Sequence, residues 1–141
     1  MIHALDTNTI SFLLRPSRNP EVVRQFAKII EQGEGYAIPP ICHYEVNWHL
    51  IRKNATVQLR IFNEIYTDSV AKLNMSEAEF VKAAEIRADL ESRGLPVGNK
   101  DADVFIAAHC IVNGYTLVTD NVKDFERIAG LSIVNWKNSS L

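Results

Sequence analysis

The spacing of apolar positions along the chain switches repeatedly between the short runs of strands and the three-to-four-residue step of helices. A first apolar run, Ile2 to Leu5, stops at Asp6 and passes through Thr7-Asn8 into a short helix over 8–14. Asn19-Pro20 opens a second helix, with Asn as N-cap and Pro at the first position. Val22, Val23, Phe26, Ile29 and Ile30 form its stripe, and Gly33 stops it. Tyr36-Ala37-Ile38 is a second strand, closed by Pro39-Pro40. The helical step returns over 41–53, with Ile41, Tyr44, Trp48 and Ile51 as one face and Glu45 at its edge. An acid in that position calls for a partner or a task. The helix expected over 57–66 is apolar most of the way round, as if packed against a neighbour or a second copy. Residues 70–73 read as a short connecting strand.

Ser76 and Glu79 form a capping box, and Met75 and Phe80 have the spacing of a hydrophobic staple. The helix they begin runs through Ala83, Ala84, Ile86 and Leu90 to Gly94, and Leu95-Pro96-Val97-Gly98 is a loop. Asp101-Ala102-Asp103 opens a further helix, which carries Val104, Phe105, Ala108, Ile111 and Val112 to Asn113-Gly114. A strand over 115–118 ends in Thr119-Asp120-Asn121, a short helix covers 122–128, and a last strand at 132–134 precedes Trp136. Short apolar strands alternating with helices, without hairpin turn signals, predict βαβ units and a short parallel sheet flanked by helices on both faces. No linker or repeat divides the chain, so one α/β domain over 1–141 is expected.

Composition narrows this only modestly. With 141 residues, 47% of them apolar and 23% charged, the chain has the make-up of an ordinary globular domain. No apolar run is long enough for a bilayer span and no basic-then-apolar leader opens the chain, so no membrane association and a cytoplasmic location are expected. Cys42 and Cys110 match neither a metal spacing nor a disulfide framework and are expected to be reduced, half-buried side chains. A net charge of −2 argues against holding nucleic acid by bulk electrostatics. The distribution matters more: between Glu34 and Glu64 the one acid is Glu45, against His43, His49, Arg52, Lys53 and Arg60.

The acids carry the candidate chemistry. Asp6 and Asp120 end strands, Asp101 and Asp103 begin a helix, and Glu45 lies early in another. Taken singly, each of the aspartates has an ordinary role as a helix cap or a partner of the helix dipole. Taken together, at least three of them are expected to share one edge, because strand C-termini and helix N-termini lie on one rim of a parallel sheet. Carboxylates gathered there repel unless cations neutralise them, and Mg²⁺ or Mn²⁺ are the hard cations that oxygen ligands suit. Such a site hydrolyses phosphodiesters by activating a bound water and stabilising the departing oxygen. No His or thiolate set competes as a zinc site, and neither a phosphate-binding Gly-rich loop nor a Gly-x-Ser-x-Gly turn is present.

At this point the sequence resembles the PIN-domain ribonucleases of the VapC toxin type, from VapBC toxin–antitoxin modules. Leu5-Asp6-Thr7-Asn8 and Glu45 carry the resemblance in the first half. In the second half it rests on Gly94-Leu95-Pro96-Val97-Gly98 leading to Asp103-Val104-Phe105-Ile106-Ala107-Ala108, and on Leu117-Val118-Thr119-Asp120-Asn121-Val122-Lys123-Asp124-Phe125 with Gly130-Leu131 and Trp136. The resemblance implies a Mg²⁺- or Mn²⁺-dependent endoribonuclease with Asp6, Glu45 and Asp103 on the family's acidic positions. Asp120 is the choice for the fourth position, with Asn121 as the contender. On this reading Asp6, Asp103 and Asp120 bind metal, Glu45 orients or activates the water, and Thr7 or Asn8 caps the first helix. Arg52, Lys53, Arg60, Thr119 and Asn121 are the candidate substrate contacts. The resemblance further implies an RNA substrate with tRNA as the leading guess, a homodimer, and a VapB-type antitoxin whose Arg occupies the acidic cleft. His49 stands where the family commonly has a small residue, often Gly.

Two other readings stay open on the sequence: a PIN nuclease acting on other RNA or DNA outside a toxin module, and a non-catalytic interaction module whose acids are only caps.

Overall fold

A computed structural model of the chain describes residues 1–95 and 101–137. Its centre is a four-stranded, all-parallel sheet in the order β2-β1-β3-β4, made of β1 (His3–Leu5), β2 (Tyr36–Ala37), β3 (Thr116–Val118) and β4 (Ile133–Val134). His3 stands opposite Tyr36 on one side and Thr116 on the other, so β1 is interior. Successive strand residues point to opposite faces. Ala4 and Leu5, Tyr36 and Ala37, and Leu117 and Val118 are all buried, so both faces are covered as the alternation of elements predicts.

Seven helices surround the sheet among the described residues: α1 (Thr7–Leu13), α2 (Pro20–Glu31), α3 (Pro40–Arg52), α4 (Thr56–Thr67), α5 (Glu77–Ser92), α6 (Asp101–Asn113) and α7 (Val122–Phe125). Their starts and stops follow local chemistry. Ser76 and Glu79 form the expected reciprocal capping box on α5. Asn19 occupies the N-cap position of α2, yet its side chain makes no capping bond and donates to the Arg15 carbonyl instead. Gly114 adopts φ 72° just past α6, the left-handed stop that a side chain resists.

Three expectations are corrected. The segment at 70–73 is not a strand: Val70 makes one backbone bond to Tyr36, and then the Ser69 hydroxyl takes the next strand position by accepting from the Ile38 amide. On α3 the buried stripe is Cys42, Val46 and Leu50, whereas Tyr44, Trp48 and Ile51 are 65%, 48% and 63% exposed. That helix is apolar on both sides, and packing against α1, α4 and α6 selects the face with the smaller residues. Glu45 therefore borders the buried stripe next to Val46. Finally, Cys42 and Cys110 are free as expected but wholly enclosed, not half-buried. The predicted loop residues Pro96, Val97 and Gly98 lie outside the described residues. Among the described residues no helix is long and apolar enough to cross a membrane.

Candidate active site

The site grows from the end of β1. The Asp6 amide donates to the Val118 carbonyl of β3, and its carboxylate turns back to accept from the Thr9 amide at 2.8 Å. Asp6 is thus itself the N-cap of α1, the task expected of Thr7 or Asn8. The Thr9 hydroxyl donates to the Val118 carbonyl at 3.0 Å and pins the first turn of α1 to the end of β3. These bonds fix the Asp6 carboxylate on the sheet's C-terminal rim.

Burial dominates the electrostatics of Asp6. The residue is 6% exposed, and loss of water raises its carboxyl pKa above the ordinary value, a rise to which the neighbouring negative charge of Asp120 adds. Hydrogen bonds from the Thr119 side chain and from Thr9 offset part of that rise. Thr119 is buried, and its hydroxyl oxygen also accepts from the Asn121 amide at 3.0 Å. It acts as a prop between Asp6 and the turn that follows β3.

That turn separates the two contenders for the fourth acidic position. Asp120 is close enough to repel Asp6, and its carboxylate lies 3.9 Å from the Lys137 ammonium. Asn121 directs its side-chain amide to Asp124 of α7 at 3.2 Å. Asp120 thus lies within range of the charge on Asp6, and the Asn121 side-chain amide is occupied by Asp124.

Glu45 arrives from α3, which begins just after β2 and so presents its first turns to the same rim. The Thr7 hydroxyl donates to Glu45 Oε1 at 2.6 Å, which couples the residue after Asp6 to the helix that carries the second acid. Asp103 sits half-buried in the first turn of α6. Because the C-terminus of α6 leads into the start of β3, its N-terminus lies at the strands' C-terminal end, on the rim shared by Asp6 and Asp120.

The structure thus joins Asp6, Thr119 and Asp120 directly, links Glu45 to them through Thr7, and brings Asp103 to the same edge. Among the described residues no three Asp, Glu, His or Cys side chains are gathered closely enough to enclose an ion by themselves. The donor set still fits Mg²⁺ or Mn²⁺. It is all oxygen, it contains two carboxylates that repel each other, and Mg²⁺ keeps several waters while using one or two carboxylates and the substrate phosphates.

The basic candidates separate. Lys53 lines a groove between α1 and α3 that begins at Asn8. Arg52 lies instead on the outer face of α3, its guanidinium 4.4 Å from the centre of the Trp48 ring. Arg60 is exposed on α4. The same α1–α3 groove also presents His49, a member of the basic stretch read from the sequence, together with Arg15 and Arg18, which the sequence reading passed over. The signal available for them was position alone, since Arg15 and Arg18 flank the Pro16 turn after the first helix.

Comparison with known proteins covers nearly the whole chain. Residues 4–131 match the family described as "PIN domain". The chain is 34% identical over 132 residues to the tRNA(fMet)-specific endonuclease VapC of Shigella flexneri, across 94% of this chain and 96% of that protein. It is 29% identical over 136 residues to Ribonuclease VapC2 of Rickettsia felis, across 96% and 98% of the two. In three dimensions it is similar to a chain in the crystal structure of VapBC2 from Rickettsia felis bound to a promoter DNA fragment, with TM-score 0.80, 27% identity and 96% and 99% coverage.

Proposed function

The chain belongs to the PIN-domain family, among the VapC ribonucleases, and we propose that it is a Mg²⁺- or Mn²⁺-dependent endoribonuclease, the toxin half of a toxin–antitoxin pair. The observation that carries this reading is the juxtaposition of buried Asp6 with the like charge of Asp120, on the rim where Thr7 holds Glu45. Two repelling carboxylates are a cost to the fold, and a divalent cation removes it.

Asp6 and Asp120 would hold the cation, with Asp103 on the same rim reaching it through water, and when bound it would polarise the phosphodiester and lower the pKa of its water. The protein's own groups do the rest. Thr9 and Thr119 fix the Asp6 carboxylate, so its lone pairs are aimed before substrate arrives. Thr7 holds Glu45 Oε1, which leaves Oε2 to accept the proton of the attacking water. Burial of Asp6 strengthens the charge interactions that its carboxylate makes.

The finer statements rest on relatives and on surface chemistry. A relative named for tRNA(fMet) supports tRNA as the substrate class. Similar chains solved within VapBC complexes support a VapB-type antitoxin as partner, with an antitoxin Arg making charge-assisted bonds in the acidic cleft. The outward Tyr44, Trp48 and Ile51 of α3, with Val57 and Ile61 of α4, supply the apolar face that a homodimer would cover.

The test is cleavage of unfractionated tRNA by the wild type, Asp6→Ala and Asp103→Asn, each with Mg²⁺ and with a chelator. The reading predicts cleavage by the wild type with Mg²⁺ and by none of the other combinations. Equal cleavage by both variants would refute it.

A further inference from the structure

The groove that begins beside the acidic rim is more basic than the chain as a whole. It is about 430 Å³ in volume, runs between α1 and α3, and is closed at its far end by the start of α4, where the Gln58 side chain donates to the Leu14 carbonyl at 3.2 Å. Asn8, two residues after Asp6, stands at its near end, as does His49, one helical turn beyond Glu45. Arg15, Arg18 and Lys53 line the remainder, and among the described residues no acid lines it. Among the described residues none of these three cations is paired with a carboxylate. All three are solvent-exposed, so none is held in place by the fold.

His49 adds an imidazole whose Nδ1 lies 3.2 Å from the Arg52 guanidinium. The groove therefore offers positive charges and N–H donors along a path that leaves the acidic rim. From Asn8 to Arg15 that path follows α1 for roughly 10 Å at the helical rise per residue.

We infer that this groove is a binding track for the sugar–phosphate backbone of the substrate strand beside the scissile phosphate, with Arg15, Arg18 and Lys53 contacting phosphates and His49 donating to a phosphate oxygen or a 2′-hydroxyl. The inference rests on the nuclease reading for its substrate and deepens it by naming residues that hold the RNA without touching the reacting bond. Charge favours this occupant: a polyanion releases counterions on meeting unpaired cations in an otherwise acidic protein. Asn8 and Gln58 supply neutral hydrogen-bonding groups suited to ribose.

The experiment measures binding of fluorescein-labelled unfractionated tRNA between 0.05 and 0.3 M salt, these being about the range in which counterion release is read. Two proteins are compared: the cleavage-silenced Asp6→Asn, and the same protein carrying Arg15→Gln, Arg18→Gln and Lys53→Gln. Three lost phosphate contacts should weaken binding roughly ten- to a hundredfold near 0.1 M salt and flatten the log–log salt slope by about 2. An unchanged melting temperature would show that the fold survives. In the active background the triple variant should need more RNA for half-maximal cleavage, with maximal rate within a few fold of wild type. Unchanged affinity and slope would overturn the inference, and they would do so even if Asp6→Asn abolished cleavage, which upholds the nuclease reading by itself. Unchanged RNA binding with lost inhibition by a VapB-type antitoxin would assign the groove to the protein partner instead. Weakened binding by the triple variant, in a wild type that cleaves no RNA, would uphold the groove and refute the nuclease.

Discussion

The Thr7 hydroxyl donates to Glu45 Oε1 at 2.6 Å, across 38 positions of sequence. It is the bond that makes a first-strand acid and a third-helix acid parts of one site. Thr7→Val keeps the shape of the side chain and removes the donor. We expect a fall in kcat of roughly ten- to a hundredfold with little change in KM, because a mis-aimed base costs rate more than binding. Thr7→Ser should restore most of the rate. Steady-state cleavage of a fixed RNA by the three proteins checks this.

Asp6 serves two ends that pull apart. Its pKa is raised above the ordinary 3.8, chiefly by burial and also by Asp120, so the folded state binds a proton more tightly than the unfolded one. The sign follows: the stability tied to the protonated form is fully present below the unfolded pKa and is lost as pH rises through the folded value. Asp6→Asn removes the buried charge and retains a good N-cap. In chelator at pH 7 the variant should melt a few degrees above wild type, with the gap closing as pH approaches 4, near the ordinary carboxyl value. Asp6→Ala, which also loses the cap, should fall below Asp6→Asn by about 1 kcal/mol. Thermal melts across pH measure both.

Glu79 and His109 form a second polar pair, buried between α5 and α6 and remote in role from the acids on the rim. Burial pushes the Glu79 carboxyl up, but hydrogen bonds from Ser76 and His109 outweigh it and leave the pKa below the ordinary 4.5. Such a carboxylate contributes stability above 4.5 that is lost as pH falls through its folded value. Glu79→Gln should cost roughly 2–3 kcal/mol at pH 7 and less in strong acid. Urea titrations at pH 7 and pH 3 would show the difference, and cleavage by the folded fraction should be unaffected.

Trp48 is half exposed on α3 with Arg52 stacked over it, beside the exposed Tyr44 and Ile51. If a second copy covers this face, Trp48→Asp should convert the dimer to monomer, a loss of at least a hundredfold in dimer affinity from one buried aromatic anchor. Light scattering on the two proteins at matched concentrations gives the answer.

The elements were legible in the sequence wherever the local rules agree with one another. The capping box at Ser76 and the Asp101–Asn113 helix appear as read, and the alternation of strands with helices foretold a parallel sheet covered on both sides. The failures have separate causes. On α3 apolar residues lie on opposite sides, so periodicity could not say which face the sheet and neighbouring helices would choose. At 70–73 the expected ladder is replaced by a side chain, Ser69, and no propensity encodes that substitution.

The acids were legible because strand ends and helix starts fall on one rim. Their supports were not. Thr7, Thr9 and Thr119 act through bonds between residues distant in sequence, and a threonine at a helix start or just past a strand carries no mark of such a bond. The basic groove was half seen: Lys53 belongs to it, while Arg15 and Arg18 come from a turn that only folding brings beside α3.

In the proposed function Asp6 anchors metal-dependent cleavage of RNA. Total cellular RNA incubated with Mg²⁺ and either wild-type protein or Asp6→Asn, followed by mapping of new RNA ends, tests it most directly. Discrete new ends are expected with wild type, none with Asp6→Asn, and none with either protein in chelator. The same ends produced by Asp6→Asn, or produced by wild type in chelator, would contradict it.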